Sequence, residues 1–193
     1  MLTALQGIYA YDENHPIGGK GYLETDPANF DGSFYSATKS KTEELLKHYT
    51  NTLILRLRMP VSDDLHPRSF VTKISTYPHV VDIPNSNTIL HDLLPCSLLL
   101  ASYNETGIYN FTNPGAISHN EVLTLFKKHV RPDFMWKNFS LEEQSKVIKA
   151  GRSNCKLDTT KLVEKLREYG VEVPEVHEAY EQCFVRMAAN GTK

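Results

Sequence analysis

Cysteine is scarce in this chain. There are three in 193 residues, at Cys96, Cys155 and Cys183, an odd number with no Cys-x-x-Cys. That excludes a disulfide framework and a cysteine-based zinc site, and it suits a reducing compartment. Charge of one sign is also missing: the net charge is −2 and no basic stripe interrupts the sequence. Nucleic acid and anionic membrane surfaces therefore find no electrostatic footprint, and neither is expected as a partner. The longest apolar run, Leu93 to Ala101, is too short to span a bilayer and is broken by Pro95. The N-terminus has neither the basic start nor the long apolar core of a signal peptide. A cytoplasmic location is expected, and the Asn-x-Ser/Thr sequons at Asn104, Asn110, Asn138 and Asn190 are read as unused. His15, His66, His91 and His119 lack metal-ligand spacing and read as surface or capping residues. No Gly-x-Ser-x-Gly or nucleophilic cysteine context occurs.

What is present is an ordinary globular composition, 40% hydrophobic and 23% charged, which argues against disorder. The length suffices for one domain with a real core. The most informative segment is Gly32-Ser-Phe-Tyr-Ser-Ala-Thr-Lys-Ser-Lys-Thr-Glu-Glu-Leu-Leu46, which puts Tyr35 and Lys39 four residues apart. On a helix such residues share a face. An ammonium beside a phenol favours the phenolate and lowers its pKa, so the pair is the acid–base core expected of a nicotinamide-dependent carbonyl reductase. The same spacing also describes a surface helix with a tyrosine and a solvated lysine.

Along the chain, residues 1–10 read as a strand and 11–33 as a long Gly-, Pro- and Asn/Asp-rich loop of functional length. Residues 34–49 read as the Tyr35 helix and 52–58 as a buried strand ended by Pro60. A short helix follows at 68–76, a strand at 80–83, a mostly buried helix at 89–103 and a strand at 107–112. Ser118 and Glu121 form a capping box for a helix to about Val130, with Val122, Leu125, Phe126 and Val130 as its apolar stripe. Two further helices are expected near 158–169 and 174–189. Strands alternating with helices imply an α/β fold with a parallel sheet.

Other candidates are individually weaker. Lys73, partly desolvated, would move a proton α to a ketone, although a solvated helix lysine fits the residues as well. Asn85, in Ile83-Pro-Asn85, and Asn113, in Asn110-Phe-Thr-Asn-Pro-Gly115, follow strands. There they would bond a sugar or diphosphate at a ligand crevice or simply make turns. Arg152 precedes an Asp-capped helix and can grip a diphosphate bidentately; an ordinary helix–helix connection is the alternative.

Taken in order, Tyr11-Asp-x-x-His-Pro16, Gly32-Ser-Phe-Tyr-Ser-x-Thr-Lys39, Leu57-Arg-Met-Pro60, Phe70-Val-Thr-Lys-Ile-Ser75, Ile83-Pro-Asn-Ser86, Asn110-Phe-Thr-Asn-Pro-Gly115, Ser118-His-Asn-Glu121, Leu141-Glu-Glu-Gln144 and Arg152-Ser-Asn154 resemble the nucleotide-rhamnose synthase/epimerase-reductases. These belong to the extended short-chain dehydrogenase/reductases. The resemblance implies the C-terminal part of a Rossmann-like α/β fold: parallel strands, flanking helices and a small substrate lobe. Residues 1–60 would be the remnant of the Rossmann-like domain. Residues 61–193 would bind substrate, with a strand near 107–112 returning to the Rossmann layer. It also implies 3,5-epimerisation and NADPH-dependent 4-reduction of a UDP- or dTDP-4-keto-6-deoxyglucose, and allows a homodimer. Tyr35 and Lys39 match the reductase pair that also meets the cofactor. Lys73 matches a lysine linked to epimerisation, and Arg152 falls where related reductases hold the nucleotide-sugar.

The chain departs from the family pattern in two places. It has no Gly-rich phosphate loop, the turn by which such folds hold a pyrophosphate. Where the family has Thr-Gly-Cys, an ungapped reading gives Leu5, Gln6 and Gly7. Three expectations follow: a piece of a longer enzyme, a non-catalytic binding or regulatory protein on the same fold, or a site completed by a partner chain.

Overall fold

The computed structural model describes residues 2–5, 7–147 and 151–191, and within 2–5 the backbone alone. In chain order the elements are β1 (Leu2–Leu5), α1 (Phe34–Leu46), β2 (Leu53–Arg56), β3 (Pro60–Val61), α2 (Phe70–Ile74), β4 (His79–Val80), β5 (Thr88–Ile89), α3 (Leu90–Ser102), β6 (Gly107–Asn110), α4 (His119–His129), β7 (Lys137–Asn138), α5 (Leu141–Val147), α6 (Thr160–Glu168) and α7 (Val176–Ala189).

The central sheet is parallel, in the order β1-β2-β6. Leu2 stands opposite Leu53 and Leu5 opposite Arg56, and β2 in turn aligns Leu53 with Gly107 and Arg56 with Asn110. Every residue of β2 is buried, as expected for a strand covered on both faces. One face carries Leu53, Leu55 and Tyr109 against Leu93, Cys96 and Leu100 of α3 and Leu162 and Leu166 of α6. The 3- and 4-residue spacing on α3 keeps those three side chains on one stripe, while Pro95 stays at the exposed side, where its missing N–H is least costly.

On β2, Arg56 is buried and paired. Its Nε donates to Glu43 Oε2 at 2.8 Å and its Nη2 to Oε1 at 2.6 Å, a bidentate bond that ties α1 to the sheet. The side chains that α1 buries are Ser36 and Glu43, so this helix is anchored by a polar clasp rather than an apolar face.

A second core joins α4 to α7. Val122, Leu123 and Phe126 pack against Ala179, Tyr180, Cys183, Phe184 and Met187, with Val61 and Ile89 beneath them. The expected stripe on α4 shifts: Leu123 is fully buried, while Leu125 and Val130 are only partly so. The Ser118–Glu121 capping box forms as expected. A third, small cluster of Ile8, Tyr9, Tyr22, Cys155 and Leu157 holds the long loop down. Tyr9 stacks on Tyr22 at 4.2 Å, and Arg56 lies 5.3 Å above the Tyr9 ring.

Several boundaries differ from the sequence reading. The first strand stops at Leu5 rather than reaching residue 10, because Gly7 turns the chain at φ 74° and residues 8 and 9 pack on the loop instead. Pro60 does not simply end β2. Met59 adopts φ 39°, and the chain starts again as β3, which pairs in parallel with β5. The strand expected at 80–83 is the two-residue β4, paired with β7. Neither β7 nor α5 was anticipated. Both are short and exposed, so neither carries a hydrophobic period to read. Among the described residues, no helix is long and apolar enough to cross a membrane.

Candidate active site

An open cleft of about 1010 Å³ lies where α1, α2, the β4–β7 pair, α5 and residues 151–154 converge. Tyr35, Lys73 and Arg152 all line it. They come from three segments far apart in sequence and are brought together by the fold.

Tyr35 reaches the cleft because Ser33 starts α1 just before it. Ser33 is extended, at φ −143° and ψ 149°, and its Oγ accepts from the Ser36 backbone N–H, as an N-cap should. Tyr35 is half exposed, and partial burial raises its phenol pKa rather than lowering it. This corrects the expectation of a lysine-depressed phenol, and the reason is geometric. Lys39 lies one turn on, as the spacing predicted, but its Nζ sits 5.5 Å from the centre of the Tyr35 ring, over the π face. Lys39 is not among the residues that line the cleft.

Lys73 closes the last turn of the five-residue α2, whose Val71 and Ile74 are buried while the lysine stays exposed, which corrects the expectation of partial desolvation. Arg152 is exposed and lines the same cleft. Its neighbour Ser153 is held internally, and Gly151 N–H donates to Gly32 O at 3.3 Å, next to the start of α1.

Asn85 and Asn113 are not brought to the cleft. Asn85 is 1% exposed. Its Oδ1 accepts from Arg58 Nη2 at 2.6 Å and from Cys155 N–H at 3.0 Å, and its Nδ2 donates to Asn154 Oδ1 and to Ile83 O. Asn113 is equally buried. Its Oδ1 accepts from Ile89 N–H, and its Nδ2 donates to Asp92 and to Pro174 O. Both amides are occupied inside the protein, which corrects their reading as direct ligand contacts.

The structure adds residues the sequence reading passed over. His119, read as a surface or capping residue, lines the cleft at the first position of α4, edge-on to Phe70 at 5.2 Å. Burial, reinforced by the nearby Arg152 charge, lowers its pKa to about 4, so it is a neutral imidazole at pH 7. Arg58, Phe139 and Gln144 also line the cleft. The one sequence signal for Arg58 and Gln144 is membership of the family-like segments Leu57-Arg-Met-Pro60 and Leu141-Glu-Glu-Gln144, and Phe139 lies in neither.

No protein-family model matches the chain. A bifunctional dTDP-4-dehydrorhamnose 3,5-epimerase/dTDP-4-dehydrorhamnose reductase of Arabidopsis thaliana is 60% identical over 157 residues, covering 80% of this chain and 52% of its own length. A trifunctional UDP-glucose 4,6-dehydratase/UDP-4-keto-6-deoxy-D-glucose 3,5-epimerase/UDP-4-keto-L-rhamnose-reductase from the same plant is 55% identical over 170 residues, 87% of this chain and 25% of that protein. The crystal structure of the L780 UDP-rhamnose synthase from Acanthamoeba polyphaga mimivirus superposes with a TM-score of 0.86 at 38% identity, over 96% of this chain and 64% of that one. Over this shared region the chain is similar to the bifunctional and trifunctional rhamnose epimerase/reductases. Its fold is accordingly that of the extended short-chain dehydrogenase/reductases. The chain spans about half the length of the bifunctional relative, 52%, and less of the trifunctional one.

Proposed function

We propose that this chain supplies the proton-donor and sugar-nucleotide walls of a 3,5-epimerase/4-reductase acting on a UDP- or dTDP-4-keto-6-deoxyglucose. The observation that carries the reading is the convergence of Tyr35, Lys73 and Arg152 on one cleft. In this reading Tyr35 gives its proton to the C4 carbonyl oxygen as that carbon is reduced. A phenol with a raised pKa is fully protonated at neutral pH and so arrives as the acid. Lys73 exchanges the proton α to the ketone, and Arg152 grips the diphosphate with its planar fork. Neutral His119 offers a hydrogen-bonding edge to a sugar hydroxyl without adding charge. Residues 1–60 carry the proton donor and residues 61–193 the substrate wall.

NADPH is the reductant this reaction class requires. The sequence has no Gly-x-Gly-x-x-Gly turn to seat its pyrophosphate. Of the residues that line the cleft, Tyr35 would meet the nicotinamide-ribose end, and Lys39 stands one turn on, outside the lining. A second reading, a binding or regulatory protein that recognises sugar nucleotides without turnover, rests on the same cleft, whose walls would hold the sugar nucleotide whether or not it is reduced. One experiment separates the two: the chain is mixed with the 4-keto sugar nucleotide in deuterated water, and both binding and deuterium uptake at the carbons flanking the ketone are followed, an exchange that needs no NADPH. Binding with uptake supports the enzyme, binding without uptake supports the second reading, and no binding rejects both.

A further inference from the structure

Arg152 is exposed, yet both of its neighbours are tied down. Behind it, Ser153 is held by Arg58, which reaches across from the end of β2. Arg58 Nη1 donates to Ser153 Oγ at 2.8 Å, and Nη2 donates both to the Ser153 carbonyl and to Asn85 Oδ1. Asn85 passes the contact on to Asn154 Oδ1 at 3.1 Å and to the Cys155 N–H at 3.0 Å. Ser153 Oγ donates to Tyr9 O at 2.6 Å, and Tyr11 N–H donates to Asn154 O at 2.8 Å. In front, Gly151 donates to Gly32 O, and a Cβ at Gly151 would come within 3.2 Å of that oxygen. Three loops therefore converge on 153–155, and a fourth contact ties residue 151 to the start of the Tyr35 helix.

We infer that Arg58, oriented by Asn85, is a positioning residue that clamps Ser153–Cys155 and so fixes Arg152 in the cleft relative to Tyr35. A guanidinium suits this role because its planar fork meets several acceptors at set angles, which a lysine ammonium cannot reproduce. The consequence for ligand binding rests on the reading above, in which Arg152 grips a diphosphate. The clamp itself does not.

The test has a ligand-free arm and a ligand arm, both on the full 193-residue chain. Trypsin cleaves after arginine; Arg152 is exposed, while Ser153 is half-buried and held. In Arg58→Gln, and separately in Asn85→Ala, cleavage at Arg152–Ser153 is expected to rise by about tenfold or more, because charge-assisted bonds close the segment. Cleavage at other lysines and arginines should stay near wild type. Arg58→Lys is expected to fall in between. Unchanged protection at Arg152, or an equal rise at every site as in a general loss of stability, overturns the clamp. In the second arm UDP is the probe. Arg58→Gln and Arg152→Ala should each weaken it, and the double variant should be no weaker than Arg152→Ala alone, because Arg58 acts through Arg152. Fully additive losses overturn that coupling. If the wild-type chain binds no UDP, the functional reading fails while the cleavage pattern still decides the clamp.

Discussion

Tyr35 is the residue on which the proposed chemistry turns. In a reductase assay Tyr35→Phe removes the proton donor and keeps the ring that packs on Lys39, so the rate should fall by about two to four orders of magnitude with little loss of stability. A near-wild-type rate would remove Tyr35 from the mechanism. Lys73→Ala should leave 4-reduction intact and slow 3,5-epimerisation, read as loss of solvent deuterium uptake at the carbons flanking the ketone. Equal loss of both reactions would reduce Lys73 to a binding or folding role. His119 makes a pH prediction. Its folded pKa, about 4, lies below the ordinary 6.5 of an unfolded histidine. As pH falls through 6.5 the unfolded chain takes up this proton and the folded one does not until about 4. Its contribution to stability is therefore complete above 6.5 and is lost on acidification toward 4. Urea denaturation at several pH values should show wild-type stability falling across that window, and His119→Gln should flatten the slope.

At the scale of elements, α1 is the unusual member. It holds Tyr35 in place while leaving Phe34 90% exposed and Leu45 67% exposed, so its attachment rests on the Glu43–Arg56 pair. Breaking one partner of a buried bidentate pair leaves the other charge stranded. Glu43→Gln should cost about 3–5 kcal/mol of stability, measured by chemical denaturation, whereas Lys41→Gln, in an exposed pair, should cost about 1 kcal/mol or less. Sequence reading located α1, α3, α4, α6 and α7 because each has a cap or an apolar period. It missed α5, which buries no residue, and β7, which is two residues long.

For the whole molecule, the sheet is built outward from β2, and among the described residues the outer edge of β1 has no neighbouring strand. An open parallel edge and the exposed apolar side chains of α1 are each a surface that recruits cover. The chain alone is expected to self-associate as its concentration rises, and sedimentation velocity across a dilution series checks this. A single monomeric species throughout would show that the edge and the helix face are tolerated in water. The same architecture explains how the cleft arises. Tyr35 sits on α1, in the crossover from β1 to β2, and Lys73 on α2, in the crossover from β2 to β6, while Arg152 follows the last strand of this sheet and returns to the same cleft.

The sequence by itself determined the α/β class, most helices, the capping box and the Tyr35–Lys39 pair, because these depend on periods and spacings of a few residues. It also carried the family resemblance, in short segments spread along the chain. Only the tertiary structure decided which side chains share the cleft. Asn85 and Asn113 looked like turn residues available to a ligand, and their burial is set by partners such as Cys155 and Pro174, 70 and 61 residues away. The direction of the Tyr35 shift was likewise outside its reach, since spacing puts Lys39 on the same face but not on which side of the ring its charge lies. Contacts between distant segments depend on how elements pack, and no local pattern of residues encodes that packing.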